Sequence, residues 1–169
     1  MTPVRAQANE RLGAAHKTAV IVVTALVLSI VAYTGAGILI LKTGRAAPQA
    51  ELPYPFYAAA AALAIGSIAV RRAQLHRMKL EVVAVTRGVA GLIKHLLNAT
   101  IIAAAVGEVI GVLALLVVFF GGSQNDVIRL GAVALMVSIY NYPRRSAWQR
   151  AVDYFSATLP EANESKLGL

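Results

Sequence analysis

The chain has 169 residues, of which 58% are hydrophobic and only 14% are charged. A water-soluble domain carries roughly 25% charged residues, so the composition is that of an integral membrane protein. The net charge is +8 and there are no cysteines, which excludes disulfides, thiolate metal sites and cysteine-ligated iron–sulfur clusters.

Residues 1–17 are polar and are expected to form an N-terminal tail, with a short interfacial helix near 9–17. The first apolar run covers residues 18–41. It exceeds the length of a signal-peptide core and is expected to be a retained transmembrane helix. Residues 42–55 (KTGRAAPQAELPYP) contain Gly44, Pro48, Pro53 and Pro55 and read as an outer loop. The second span, over about 54–70, is short for the roughly 20 residues a helix needs to cross the hydrocarbon core. Tyr54, Tyr57 and the stems of Arg71 and Arg72 are expected to anchor its ends.

Residues 71–98 are too polar to span. Leu75, Met78, Val82, Val85, Val89, Leu92 and Leu96 nevertheless recur at spacings of three and four, a helical apolar seam. Two forms fit: helices two and three projecting as a hairpin that turns near Arg87 and Gly88, or one amphipathic surface helix. Gly88 and Gly91 interrupt a single long helix and favour the hairpin, with the seam holding its two arms together. The third span covers 99–120. The GGSQND turn over 121–126 follows, with Gly121 and Gly122 ending helix three and Asn125 or Asp126 capping helix four. The fourth span, 127–142, contains Arg129 within a turn of its start and is stopped by Pro143. In the tail, 143–169, Arg144, Arg145 and Trp148 read as membrane-surface anchors. A short surface helix is expected over 147–157 and disorder over the last ten residues.

The fold class is therefore all-α: a transmembrane domain over 18–142, with four helices in two hairpins. Thirteen of the 16 basic residues lie on one side of these spans: Arg5, Arg11, Lys17, Arg71, Arg72, Arg77, Lys79, Arg87, Lys94, Arg144, Arg145, Arg150 and Lys166. Lys42, Arg45 and Arg129 lie on the other. The positive-inside rule then places both termini and the 71–98 connection in the cytoplasm. Topology and anionic headgroups account for the basic residues, so no nucleic-acid partner is expected.

Glu108 is the one acidic residue in the 99–120 run. A carboxylate in mid-membrane is costly and by default marks a function; hydrocarbon tolerates its protonated form. Ala99, Ala103, Gly107 and Gly111 recur every four residues around it, a stripe that lets another backbone approach closely. Hydroxyl partners for Glu108 are sought among Thr24, Ser29, Tyr33, Thr34, Ser67 and Ser138. His16 and His95 fall near the cytoplasmic surface and could in principle ligate a haem or chlorin, though no spacing supports it and no cofactor is expected. No metal-ligand spacing, phosphate loop or nucleophile–base pair is present, so an enzyme is not expected.

Residues 101–122 (IIAAAVGEVIGVLALLVVFFGG) resemble the carboxylate helix of the c-type proteolipids of rotary ATPases, with Gly107-Glu108-Val109-Ile110-Gly111 as the matching motif. The stretch from there to Pro143, Arg144, Arg145 and Trp148 is also similar to a group of small four-helix bacterial membrane proteins with a proteolipid-like hairpin. The preceding span lacks the Gly-x-Gly-x-Gly run of proteolipids and the polar turn is replaced by a long basic segment. The resemblance implies a multi-pass protein of the bacterial cytoplasmic membrane that self-associates or joins other membrane subunits, with Glu108 binding a proton or cation. The alternative is a structural accessory subunit of a respiratory, photosynthetic or transport complex, in which Glu108 only forms a buried hydrogen bond.

Overall fold

The computed structural model describes residues 3–44 and 53–158, and their regular elements are all α-helices. These are α1 (Pro3–Lys42), α2 (Pro53–Gln74), α3 (Arg77–Phe119), α4 (Gln124–Tyr140) and α5 (Arg145–Thr158). The greater part of the expected outer loop, 45–52, and the tail beyond 158 lie outside the described residues. Helices α1, α2 and α3 are each long and apolar enough to cross a membrane. With 17 residues, α4 extends about 26 Å at 1.5 Å per residue.

Side-chain pairings give the directions. Ser29 meets Glu108 and Ile30 meets Gly111, so α1 and α3 run parallel. His95 meets Gln74 while Phe56 meets Phe120, so α2 runs against α3. Ser138 meets Gly107 and Asn141 meets Ala103, so α4 runs against α3 as well. Among the described residues no Cα of α1 lies within 8 Å of one of α2, while both helices pack on α3 and α4. Buried side chains from all four helices, including Ile30, Ala60, Ile110, Val117, Val127 and Leu130, fill this core. Much of the outward surface is also apolar: Leu28, Ile65, Ile102, Val109 and Met136 are exposed, as lipid-facing residues would be.

A second core sits at the end where α1 begins and α4 finishes, here called the basic end. Leu12 and Ala19 of α1, Leu80, Ala84, Leu92, Ile93 and Leu96 of α3, and Trp148, Val152 and Phe155 of α5 make it. The segment 9–17 is thus not a separate interfacial helix. It is the continuous start of α1, because Leu12 and Ala19 have this second core to pack against. The helix expected over 147–157 is α5, and its i, i+4, i+7 residues Trp148, Val152 and Phe155 form the buried face. Trp148, expected as a membrane-surface anchor, is buried there against His16, with ring centroids 5.6 Å apart.

Within the 71–98 connection the turn does not fall near Arg87 and Gly88. Helix α2 stops at Gln74 and α3 begins at Arg77, well before Gly88. At Gly88 the backbone leaves the helix (φ 65°, ψ −174°) and α3 restarts beyond it. This break resets the helical phase. Leu92 and Leu96 from the expected seam are buried, but Leu75, Met78, Val82 and Val85 are exposed, and Leu80 and Ala84 pack inward instead.

The turn from α3 to α4 follows from its residues. Gly121 takes φ 80° after the C-cap Phe120, and the Gly122 N–H donates to Val117 O at 2.9 Å, satisfying a terminal carbonyl of α3. The N-cap of α4 is Ser123, not Asn125 or Asp126: the Asp126 N–H donates to its hydroxyl, and the Ser123 N–H donates back to the Asp126 carboxylate at 2.8 Å. Tyr57 reaches over from α2 and donates to Asp126 Oδ1 at 2.6 Å. Burial alone raises the Asp126 pKa, but the hydrogen bonds from Tyr57 and Ser123, with Arg129 nearby, outweigh it and hold the carboxyl below its ordinary value.

Two outcomes follow for stability. The Gly88 conformation is one that essentially only glycine adopts, so Gly88→Ala should destabilise the protein by about 1–3 kcal/mol in thermal or SDS unfolding. Because the folded-state pKa of Asp126 is lowered, its stabilisation is complete above the ordinary carboxylate range and is lost as pH falls through the lowered value. Acid titration of Tm should show that loss, and Asp126→Asn should flatten it; an identical acid profile in the variant contradicts the assignment.

Candidate functional site

Helix α3 lies in the groove between α1 and α4, and its small-residue stripe faces that groove. Ala99, Ala103, Gly107 and Gly111 are all buried. A Cβ on Gly107 would sit 2.2 Å from the Ser138 hydroxyl and 3.3 Å from the Ala134 carbonyl of α4. One on Gly111 would sit 2.9 Å from Ile30 Cγ1 and 3.4 Å from its Cα on α1. On α4, Gly131 meets Thr34 of α1 in the same way, and Gly37 of α1 meets Val127 and Val118. Glycine therefore sets the approach of each pair among α1, α3 and α4. In the absence of any apolar driving force from lipid, close van der Waals contact of this kind is what holds membrane helices together.

Glu108 is half-buried at the edge of this packing, facing α1. Two hydroxyls one helical turn apart converge on its Oε1: Ser29 Oγ at 3.1 Å and Tyr33 OH at 3.5 Å. The Ser29 hydroxyl also lies 2.8 Å from the carbonyl oxygen of Leu26. A serine has one proton and two acceptor lone pairs. With its proton on Leu26 O, Ser29 is left as an acceptor toward Glu108, which suits a protonated carboxyl that donates to it. With its proton turned toward Oε1, Ser29 suits the ionised carboxylate. Both protonation states of Glu108 are thus satisfied by rotation of one hydroxyl.

The other hydroxyls considered as partners are engaged elsewhere. Thr34 donates to Ile30 O and Ser138 to Ala134 O, each at 2.9 Å along its own helix. Thr24 is exposed. Ser67 accepts from Asn141 at 2.8 Å. That last bond belongs to a buried network which the sequence reading missed. Asn141 also donates to Val137 O at 2.9 Å and Ala103 O at 3.4 Å, while its Oδ1 accepts from Arg71 at 3.3 Å. Arg71 donates in addition to the Tyr140 carbonyl and lies over the Tyr140 ring. The signal was present in Asn141 itself: an amide one residue past the end of a helix is placed to satisfy orphan carbonyls.

The remaining sequence candidates lie at the basic end. Arg71 is half-buried, while Arg72, Arg144 and Arg145 are exposed. His16 Nε2 lies 3.2 Å from Pro143 O, and His95 Nε2 lies 3.1 Å from Gln74 O. Each imidazole thus donates to a carbonyl, tying α1 to the α4–α5 link and α3 to the end of α2, which leaves only Nδ1 of each for a ligand. Among the described residues no three His, Asp or Glu side chains gather to hold a metal ion.

Substitution at two glycines separates tight from open positions. Gly107→Val should destabilise the protein by about 1–3 kcal/mol through overpacking against α4. At Gly66 a Cβ meets nothing, so Gly66→Ala should be neutral or stabilise by about 0.5–1 kcal/mol. Equal effects of the two in detergent unfolding would contradict the packing described.

Comparison of the chain with protein-family models, with curated proteins and with solved structures finds no match.

Proposed function

We propose that this protein is a small non-enzymatic subunit of the bacterial cytoplasmic membrane that spans it four times, with both termini inside, and self-associates or joins other membrane subunits. Its reversible proton site is Glu108, with a cation as the alternative occupant. The proteolipid-like motif around Gly107 and Gly111 agrees with this, but the observation that carries it is the Ser29 hydroxyl. Placed between Leu26 O and Glu108 Oε1, it accommodates the carboxyl in either protonation state. A carboxyl that gains and loses a proton at one mid-membrane position is the working element of proton-coupled membrane machinery.

The fourth span in this reading is 127–142, built on α4 from Val127 onward. It is shorter than the roughly 30 Å hydrocarbon core, and Arg129 near its start can reach the interface by extending its stem. Its outward residues Ile128, Met136 and Ile139 are exposed and apolar. The concentration of Lys and Arg at the basic end supplies the orientation.

A second reading rests on the fact that both hydroxyls on Glu108 come from α1: Glu108 would then be a tie between α1 and α3 and nothing more. Glu108→Gln separates the two, because glutamine keeps the accepting oxygen and loses the titrating proton. A carbodiimide that modifies protonated buried carboxyls should label the protein in membranes and should not label Glu108→Gln. Protection by sodium would identify a cation as the occupant. Absence of labelling, or undiminished labelling of the variant, contradicts the proton site and leaves the tie.

Topology is tested independently, because the chain has no cysteine. An impermeant maleimide added to intact cells should label Asn125→Cys, and should label Asn9→Cys only after permeabilisation. The reverse pattern, or labelling of both from one side, contradicts the four-span arrangement.

A further inference from the structure

At the basic end the structure holds a crevice of about 240 Å³ between the end of α2, the part of α3 from Leu96 to Ala103, the link from α4 to α5, and α5 itself. We infer that this crevice binds the phosphodiester headgroup of an anionic phospholipid from the cytoplasmic leaflet. The inference rests on the membrane placement of α1–α4 proposed above and is independent of the proton site at Glu108.

Position is the first argument. From Leu96 to Ala103 the crevice follows α3 for about 10 Å. It starts below the apolar run of 99–120 and ends inside it, so it straddles the level where headgroups give way to acyl chains. Four alanines line it, Ala99 and Ala103 of α3 and Ala147 and Ala151 of α5, together with Leu75, Leu80 and Trp148. These alanines leave a slot of apolar surface that a soluble ligand has no reason to fill.

Charge is the second argument. Among the described residues the lining carries two cations, Arg71 and Arg144, and no carboxylate. The partners of Arg71 are neutral: the Tyr140 carbonyl, the Asn141 side-chain oxygen and the Tyr140 ring, 4.9 Å from the guanidinium. They fix its position without neutralising it. Two guanidiniums lining one crevice with apolar surface suit an anion with a hydrocarbon extension. Guanidinium forks match phosphate oxygens in geometry, and basic pockets between helices at the cytoplasmic side are suited to anionic headgroups.

Size sets which part of the lipid enters. The cavity is smaller than the roughly 300–1,000 Å³ of sites that enclose a drug-sized ligand. It holds the phosphate and the adjoining stem of a lipid whose chains stay in the bilayer. Free inorganic phosphate shares the anionic chemistry but would leave the apolar walls wet, and on that ground the lipid is the occupant.

The test uses the purified full chain in a neutral detergent and follows Tm as phosphatidylglycerol, phosphatidylcholine or inorganic phosphate is added. Phosphatidylglycerol should raise Tm clearly more than phosphatidylcholine, and inorganic phosphate should leave it unchanged. Arg144 is exposed and can be replaced without disturbing a buried bond. Arg144→Gln should raise the half-saturating phosphatidylglycerol concentration about fivefold, the worth of one basic residue at an anionic surface. Ala147→Phe, at another exposed position, should fill the slot and remove the shift, with an unchanged Tm in the absence of lipid showing that it folds. Glu108→Gln should keep the full lipid effect. Equal shifts from the two lipids, a phosphatidylglycerol shift that survives in both crevice variants, or the same shift from inorganic phosphate alone would each overturn the proposal. Failure of the membrane arrangement is read separately, from the maleimide labelling of Asn9→Cys and Asn125→Cys.

Discussion

The close approach of α1, α3 and α4 at Gly37, Gly107, Gly111 and Gly131 is the constraint on which the remaining structure depends. In a bilayer, lipid chains would be as apolar as the helix surfaces, so burying Leu or Val between helices would gain little. What is gained comes from contact at short range, and side chains with a Cβ at these positions would push the helices apart. The approach of Gly111 to Ile30 also brings Ser29, one residue before Ile30, to the carboxyl of Glu108. The packing and the candidate site are therefore one arrangement, and loosening the first dismantles the second.

Polar groups are distributed in the same economical way. Among the described residues no buried side-chain nitrogen or oxygen lacks a partner. Ser67, Asn141 and Arg71 close the bundle at the basic end, while Tyr57, Asp126 and Ser123 close it at the other. Both clasps involve α2, which among the described residues has no Cα within 8 Å of α1 and no glycine interface of its own. Hydrogen bonds at its two ends thus do for α2 what close packing does for the other three helices. His16 and His95 continue the pattern beyond the bundle by fastening the α4–α5 link and the end of α2 to the long helices.

Part of this was legible in the sequence, because helices long and apolar enough to span a membrane announce themselves through apolar runs and Glu108 stood alone in one. The stripe of Ala99, Ala103, Gly107 and Gly111 was visible as a four-residue repeat, and Ser29 and Tyr33 stood among the hydroxyls at a suitable depth. Which of those hydroxyls would face Glu108 was not legible, since it depends on the rotation of α1 against α3, and no periodicity in one helix encodes that. The seam from Leu75 to Leu96 misled for a local reason. Its regular spacing assumed an unbroken helix, whereas Gly88 takes a backbone conformation that shifts the phase and sends Leu80 and Ala84 inward instead. Trp148 looked like a surface anchor because of its arginine neighbours, yet α5 turns it onto a second core that no single segment could foretell.

The proposed role requires Glu108 to hold and release a proton where it lies between Ser29 and the packing stripe. Infrared difference spectroscopy of the protein in lipid, recorded as pH is cycled, reads this directly through the stretching band of a protonated carboxyl. Such a band should appear and disappear reversibly, shift in Ser29→Ala, and be absent in Glu108→Gln. A spectrum that does not change over the pH range in which the protein remains folded, or one that Glu108→Gln leaves unaltered, would contradict it.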